Sequence, residues 1–110
     1  MTHRSPRTQE NRLSPIKIGA VCYSLEYIEN LQDDGRPLDG QIDHGLAKIS
    51  IKSNMDDQIR VQTLLHEIIH AIETQTGRRR ELKEPMIDAL AFGIYQVMRD
   101  NPHLVRMITK

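Results

Sequence analysis

The chain has 110 residues and a mass of 12.7 kDa, which is the size of one small domain and leaves no room for two independent cores. Leu, Ile, Val and Phe make up about a quarter of the residues, above the roughly 20% below which a chain is expected to be disordered. Fifteen basic and fifteen acidic residues give a formal net charge of zero. The basic excess typical of nucleic-acid binders is therefore missing, and we expect no nucleic-acid partner.

Cysteine content and the distribution of apolar residues bear on the compartment. The single cysteine, Cys22, cannot form a disulfide within the chain, which excludes a disulfide-stabilised secreted fold, and we expect it to be a small buried apolar side chain. No apolar run approaches the ~20 residues of a membrane span. The first fifteen residues contain no apolar block that could form the core of a signal peptide. These features predict a cytoplasmic protein without a membrane partner.

A polar tail and a hairpin are predicted at the start of the chain. Residues 1–14 are polar and show no periodicity, which predicts a flexible tail in front of a single domain over residues 15–110. Apolar residues then alternate, as in a half-buried strand, and the phase of the alternation changes at Gly19-Ala20. Because glycine at the first central position suits a type II′ turn, we predict a hairpin whose second strand continues to Tyr27.

A second hairpin is predicted further along. A cluster of turn-forming residues at 33–37 ends the first unit. Residues 40–43 and 46–52 then form two strands on either side of a turn at His44-Gly45, and the second strand alternates between apolar and polar residues. We assign His44 to the turn and to no other role.

Two helices follow the strands. The first begins just after residues 53–54, carries a broad apolar stripe and ends at Gly77, a natural helix C-cap. The second begins between Glu81 and Pro85, since proline is tolerated in the first helical turn, and ends before Pro102. Three or four strands followed by two helices predict an α+β domain, with a small, largely antiparallel sheet packed on the two helices.

The first predicted helix contains the sequence His66-Glu67-Ile68-Ile69-His70. Side chains four residues apart project from one face of a helix, so His66 and His70 are placed to bind one Zn²⁺ ion. Glu67 lies one residue further around the helix, where its carboxylate would meet a metal-bound water and act as a general base. The alternative is that both histidines face solvent while Glu67 forms ordinary salt bridges.

A catalytic zinc site needs a third protein ligand. Glu84, at the start of the second helix, is our choice, with Glu81 and Asp88 as the fallback ligands and Glu73 as a weaker one. Asp88 lies one helical turn after Glu84, where its carboxylate can accept a hydrogen bond from a ligating histidine and orient the ring.

HExxH followed by ExxxD is similar to the pattern of the gluzincin peptidases, and the chain resembles small phage- and prophage-encoded zincin-like proteins related to the ImmA/IrrE metallopeptidases. The resemblance covers about residues 16–102 and is carried by residues 16–19, 40–43, 62–71, 84–91, 93–97 and 100–102. It implies a minimal zincin fold, Zn²⁺ as the cofactor, zinc ligands at His66, His70 and Glu84, and Glu67 as the catalytic acid/base. It also implies proteolysis of an intracellular protein, such as a phage or host regulator.

Two functions from different classes follow from these residues. The first is a zinc-dependent endopeptidase acting on a protein or peptide substrate. The second is a non-catalytic binding module of a mobile element that retains a metal site. Glu67 favours the first, because a purely structural zinc site has four protein ligands and needs no base beside it.

Further residues are candidates for supporting roles. Tyr95, on nearly the same helical face as Glu84, and His103 are possible oxyanion stabilisers. The strand at 46–52 could pair along its edge with an extended peptide. We interpret the run Arg78–Arg80 as a solvated loop, the alternative being a surface that grips an acidic partner. The sequence predicts neither the substrate nor the oligomeric state.

Overall fold

The computed structural model describes the backbone of residues 12–110 and the side chains of residues 15–110. Within this part of the chain, a group of short strands precedes three helices, which confirms the α+β class. The strands are β1 (Arg12–Ile18), β2 (Val21–Ile28), β3 (Gln32–Asp33), β4 (Arg36–Pro37), β5 (Gly40–Asp43) and β6 (Lys48–Lys52), and the helices are α1 (Asp57–Gln75), α2 (Glu84–Asp100) and α3 (Pro102–Ile108).

The first strand begins earlier than predicted. Most of the predicted tail, residues 1–14, lies outside the described residues, but β1 starts at Arg12, ahead of the predicted domain boundary. The pairing of β1 with β2 shifts register between Leu13 and Ile16, where Pro15 has no N–H to donate to a neighbouring strand. This irregularity breaks the alternation of apolar residues, so the sequence pattern did not show the start of the strand.

The main sheet has four strands in the order β1-β2-β6-β5. The hairpin between β1 and β2 is confirmed: Ile18 pairs with Val21 across a two-residue turn, and Gly19 has a φ of +60°. The second predicted hairpin is confirmed by the antiparallel pairing of β5 with β6, but its turn extends over residues 44–47 and β6 begins at Lys48, two residues later than predicted. The turn-forming residues 33–37 lie in a hairpin of their own, formed by β3 and β4.

The pairing of β2 with β6 corrects the prediction of a largely antiparallel sheet. These two strands run parallel, because the chain reverses through β3, β4 and β5 before β6 enters beside β2, so the sheet is mixed. The correction extends to the peptide-binding edge predicted at residues 46–52. Since β6 pairs on both sides, the strand with an open edge at this end of the sheet is β5.

The core lies between this sheet and one face of α1. Its largest buried side chains are Tyr23 from β2 and Ile49 and Ile51 from β6, which pack with Ala71 of α1. Cys22, predicted to be buried, is exposed instead. Successive side chains of a strand point to opposite faces, and Cys22 precedes the inward-facing Tyr23.

The helices form a second layer that differs from the predicted one. Helix α1 packs on β1, β5 and β6, whereas α2 packs on α1, so α1 is the helix that covers the sheet. In α2, Ile87 and Ala91 are buried, but many of its other apolar side chains are exposed, namely Met86, Leu90, Phe92, Ile94, Val97 and Met98. The short helix α3 was not predicted. No helix of the described chain is long and apolar enough to span a membrane.

Candidate metal centre

Three predicted ligand side chains meet where the start of α2 packs beside the middle of α1. The Nε2 atoms of His66 and His70 lie 3.1 Å apart. The two carboxylate oxygens of Glu84 lie 3.0 Å from these nitrogens, Oε1 from that of His66 and Oε2 from that of His70. The group could hold a metal ion, since its potential ligand atoms all lie within 4.8 Å of one another.

Two further carboxylates fix the orientation of the imidazole rings. Nδ1 of His66 lies 2.7 Å from Oδ1 of Asp88, and Nδ1 of His70 lies 3.2 Å from Oε1 of Glu73. An ionised carboxylate only accepts hydrogen bonds, so each Nδ1–H donates. In a neutral ring this leaves the lone pair of Nε2 directed towards Glu84. Outer carboxylates hold metal-binding histidines in this way in many metalloproteins.

The arrangement fits a single divalent cation. With both rings neutral, two nitrogen lone pairs and the Glu84 carboxylate face one another without a proton between them, which is unfavourable unless positive charge is supplied. A tetrahedral ion with bonds of ~2.0–2.1 Å separates its ligand atoms by about 3.3 Å. The 3.1 Å between the Nε2 atoms of His66 and His70 is close to this value, and each of these nitrogens lies 3.0 Å from a different oxygen of the Glu84 carboxylate. The donor set of two nitrogens and one carboxylate is typical of zinc sites with an open position for water.

The structure discriminates among the predicted third ligands. Glu84 belongs to the ligand group, whereas the side chain of Glu81 points to Arg78, its Oε1 lying 3.5 Å from Nη1. Glu73, the weaker candidate, contacts the outer nitrogen of His70 instead, and its other oxygen accepts a hydrogen bond of 2.9 Å from the backbone N–H of Leu82. Glu73 follows His70 by three residues in the same helix, and this spacing in the sequence already indicated that the two side chains could meet.

Glu67 is buried, with only 7% of its surface exposed. It lies against Gly40 of β5, where a Cβ atom would come within 3.0 Å of its Oε2 and within 2.6 Å of Cγ2 of Thr63. Burial raises the pKa of the Glu67 carboxyl, an effect that the nearby His66 and His70 oppose. No side chain in the described region forms a salt bridge with Glu67. The side chains of His66 and His70 are only 15% and 24% exposed, so the alternative of solvent-facing histidines beside an ion-paired Glu67 does not describe this structure.

Two cavities flank the ligand group, and Gly40, His66 and Glu67 line both of them. The smaller has a volume of about 310 Å³ and extends towards Asp39 and Thr63. The larger, about 690 Å³, extends the other way to the β5–β6 turn and the loop between α1 and α2. The two cavities meet at these shared residues and form an open groove beside β5, and His70 and Glu84 line its larger part.

His44 lies at the larger cavity, although the sequence indicated only a turn. Its ring is half-buried, with Nδ1 3.5 Å from the Tyr23 hydroxyl and Nε2 3.4 Å from Oγ1 of Thr74. Burial lowers the pKa of His44, and the charges of Arg79 and His70 lower it further. The packing of α1 on β5 and β6 brings this turn beside the helix, so no local signal could have indicated the position.

The two predicted oxyanion stabilisers lie elsewhere. Tyr95 lines a separate apolar hollow with Val61 and Met98, because it lies seven residues beyond Asp88, or about 10 Å along α2. His103 is exposed at the start of α3 and lines neither cavity of the groove. The structure does not bring either side chain to the ligand group.

Compared with known protein families, curated proteins and solved structures, the chain matches none.

Proposed function

We propose that this protein is a zinc-dependent endopeptidase of the zincin type, acting on an intracellular protein such as a phage or host regulator. One observation carries the proposal: the ligand atoms of His66, His70 and Glu84 converge beside the buried carboxylate of Glu67. Three protein ligands leave a coordination position for water, and the adjacent carboxylate is the general base that hydrolysis requires.

In the proposed reaction, Zn²⁺ would act as a Lewis acid that polarises the peptide carbonyl and lowers the pKa of water. Glu67 takes the proton of the attacking water and then gives it to the nitrogen of the leaving amine. Burial brings the pKa of Glu67 closer to neutrality, which suits a group that must both accept and donate a proton. Asp88 and Glu73 hold His66 and His70 in the orientation that ligation needs.

The open edge of β5 is the proposed binding site for the peptide backbone. An extended peptide can add to an exposed strand edge through main-chain hydrogen bonds. Both cavities border Gly40 at the start of β5, so a peptide paired with this strand would pass directly over the ligand group. The edge strand thus takes the role that the sequence analysis gave to residues 46–52.

Metal content and cleavage test the proposal. The protein is purified untagged without chelators, and its metal is measured by mass spectrometry beside Glu84→Ala. We expect about one zinc per chain in the wild type and weaker binding in the variant. The zinc-loaded protein is then incubated with a library of peptides from a digested proteome, and new termini are read by mass spectrometry.

Glu67→Gln is the matched control for catalysis, because it preserves the size of the side chain and removes only the base. We expect it to retain zinc and to produce no new termini. Failure of the wild type to bind zinc even after reconstitution would exclude the proposed function. Cleavage by Glu67→Gln at the wild-type rate would exclude Glu67 as the base. Zinc binding without any cleavage by the wild type would instead favour the non-catalytic module.

A further inference from the structure

The larger cavity of the groove has a basic wall. Arg79, Arg80 and Lys83, from the loop between α1 and α2, all line it. Within the described chain none of the three forms a salt bridge. Their neighbour Arg78 differs, because it pairs with Glu81 and lines neither cavity of the groove. Three cations therefore face one hollow without a protein partner.

Three carboxylates also line the larger cavity, and none of them forms an ion pair with the basic side chains. Both oxygens of Glu73 contact other groups, Oε1 the His70 ring and Oε2 the backbone N–H of Leu82. Glu84 belongs to the ligand group, and Glu67 lies against Gly40 beside it. The three basic side chains thus have no direct ion-pair partner within the described chain, and they would supply positive potential to an anion bound at their wall of the cavity.

The smaller cavity has the opposite character. Its charged side chains apart from the shared Glu67 are Asp39 and Asp88, and no Lys or Arg lines it. The groove is therefore asymmetric along its length, because its Lys and Arg side chains all line the larger cavity whereas the smaller cavity has carboxylates alone. A peptide lying in the groove would be selected for the reverse distribution of charge.

The proposed peptidase function underlies the following inference. We propose that the larger cavity binds a carboxylate group of the substrate, within about four residues of the bond that is cleaved. An extended chain advances ~3.3 Å per residue, so a backbone paired with β5 at Gly40 reaches His44 and the basic wall within a few residues. The planar guanidinium of Arg79 matches a carboxylate in bidentate geometry, and Lys83 adds a point charge. The carboxylate comes from an Asp or Glu side chain or from the carboxyl terminus of the substrate.

Cleavage profiles test this inference. The zinc-loaded protein digests two proteome-derived peptide libraries, one with free and one with amidated carboxyl termini. Enrichment of Asp and Glu within about four residues of the cut in both libraries identifies a side-chain carboxylate. Cleavage near the carboxyl terminus in the free library alone identifies the terminal group. Cleavage without preference for a carboxylate in either library would overturn the inference.

Arg79→Gln and Arg78→Gln form a matched pair of variants. Both remove one arginine charge from the same loop, but only Arg79 lines the cavity. We expect Arg79→Gln to reduce cleavage of acidic peptides about fivefold relative to neutral ones, and Arg78→Gln to leave the profile unchanged. An unchanged profile for Arg79→Gln, at unchanged zinc content, would contradict the assignment of the basic wall.

Binding without turnover separates this inference from the proposed chemistry. Zinc-loaded Glu67→Gln is titrated with fluorescently labelled peptides that carry either Glu or Gln at a single position, varied in turn over the four residues on each side of the intended bond, and anisotropy is measured. We expect tighter binding of the Glu peptides, and a difference that shrinks as salt is added. Equal affinities would refute the carboxylate site even if the wild type cleaves peptides. A preference for Glu peptides would support the site even if the wild type cleaves none.

Discussion

Gly40 provides a sharp test of how β5 is placed against α1. In Gly40→Ala, the added Cβ atom would lie 2.6 Å from Cγ2 of Thr63 and 3.0 Å from Oε2 of Glu67. The first distance is about 1 Å shorter than an ordinary carbon–carbon contact. The Thr63 side chain is held by a hydrogen bond of 2.7 Å to the carbonyl of Ile59, so the strand must move away from the helix.

Two opposing effects determine how much Gly40→Ala changes the free energy of unfolding. Overpacking of this kind typically costs about 1–3 kcal/mol. Replacing glycine also restricts the unfolded chain, which stabilises the protein by about 0.4–1 kcal/mol where the backbone conformation suits alanine. Gly40 does not have a positive φ, so this gain applies, and we expect a net loss of about 1–2 kcal/mol. Zinc affinity should fall as well, because Glu67, which lies at this contact, directly follows the predicted ligand His66 in α1.

Urea denaturation followed by circular dichroism measures the loss. Gly93→Ala is the control, since a Cβ atom there meets nothing within 4 Å, and alanine in a helix should stabilise the protein by about 0.5–1 kcal/mol. Adding Thr63→Ser to Gly40→Ala removes the clashing methyl group and keeps the hydroxyl, so we expect it to restore part of the stability. If Gly40→Ala is as stable as the wild type, the close approach of β5 to α1 is refuted.

Three other perturbations address the site and its support. Glu73→Gln removes the charged acceptor at Nδ1 of His70. We expect zinc affinity, measured by competition with a chromophoric chelator, to fall about 10-fold to 100-fold. An unchanged affinity would show that Glu73 does not orient His70 for metal binding. In the chelator-treated protein, the raised pKa of Glu67 means that the folded state binds the proton of this carboxyl more tightly than the unfolded state does. The free energy of unfolding should therefore fall as the pH rises from 4.5, the ordinary pKa of a glutamate, through the raised pKa of Glu67. Urea titrations across this range should show a smaller fall for Glu67→Gln, and equal slopes would contradict the shift. Ile87→Ala empties a fully buried position and should cost about 2–5 kcal/mol in the same assay; a loss below about 1 kcal/mol would show that α2 is not packed as described.

The parts of the site that the sequence predicted are those set by local geometry. His66 and His70 share one helix, so their spacing placed both on one face before any tertiary contact was known. Asp88 and Glu84 are related in the same way within α2. The contact between the two helices is not local. It was predicted only through the expectation that a catalytic zinc needs three ligands, for which Glu84 was chosen ahead of Glu81 and Asp88.

The remaining differences arise from contacts between distant parts of the chain. Neither the parallel pairing of β2 with β6 nor the position of β5 at the edge changes the alternation of side chains that the sequence displays. The placement of His44 beside α1 depends on both. Cys22 is different, since the alternation around Tyr23 already placed it on the outer face, and the general tendency of cysteine to be buried was the poorer guide.

The attachment of α2 has a consequence for the role of a bound ion. This helix packs on α1, not on the sheet, and buries Ile87 and Ala91 while many of its apolar side chains remain exposed. An ion bound by both Glu84 of α2 and the histidines of α1 would cross-link the two helices. By thermodynamic linkage, the docking of α2 and the occupancy of the site would stabilise each other. Metal supply would then control the rigidity of the helical layer, while the strand pairings of the sheet would hold independently of it.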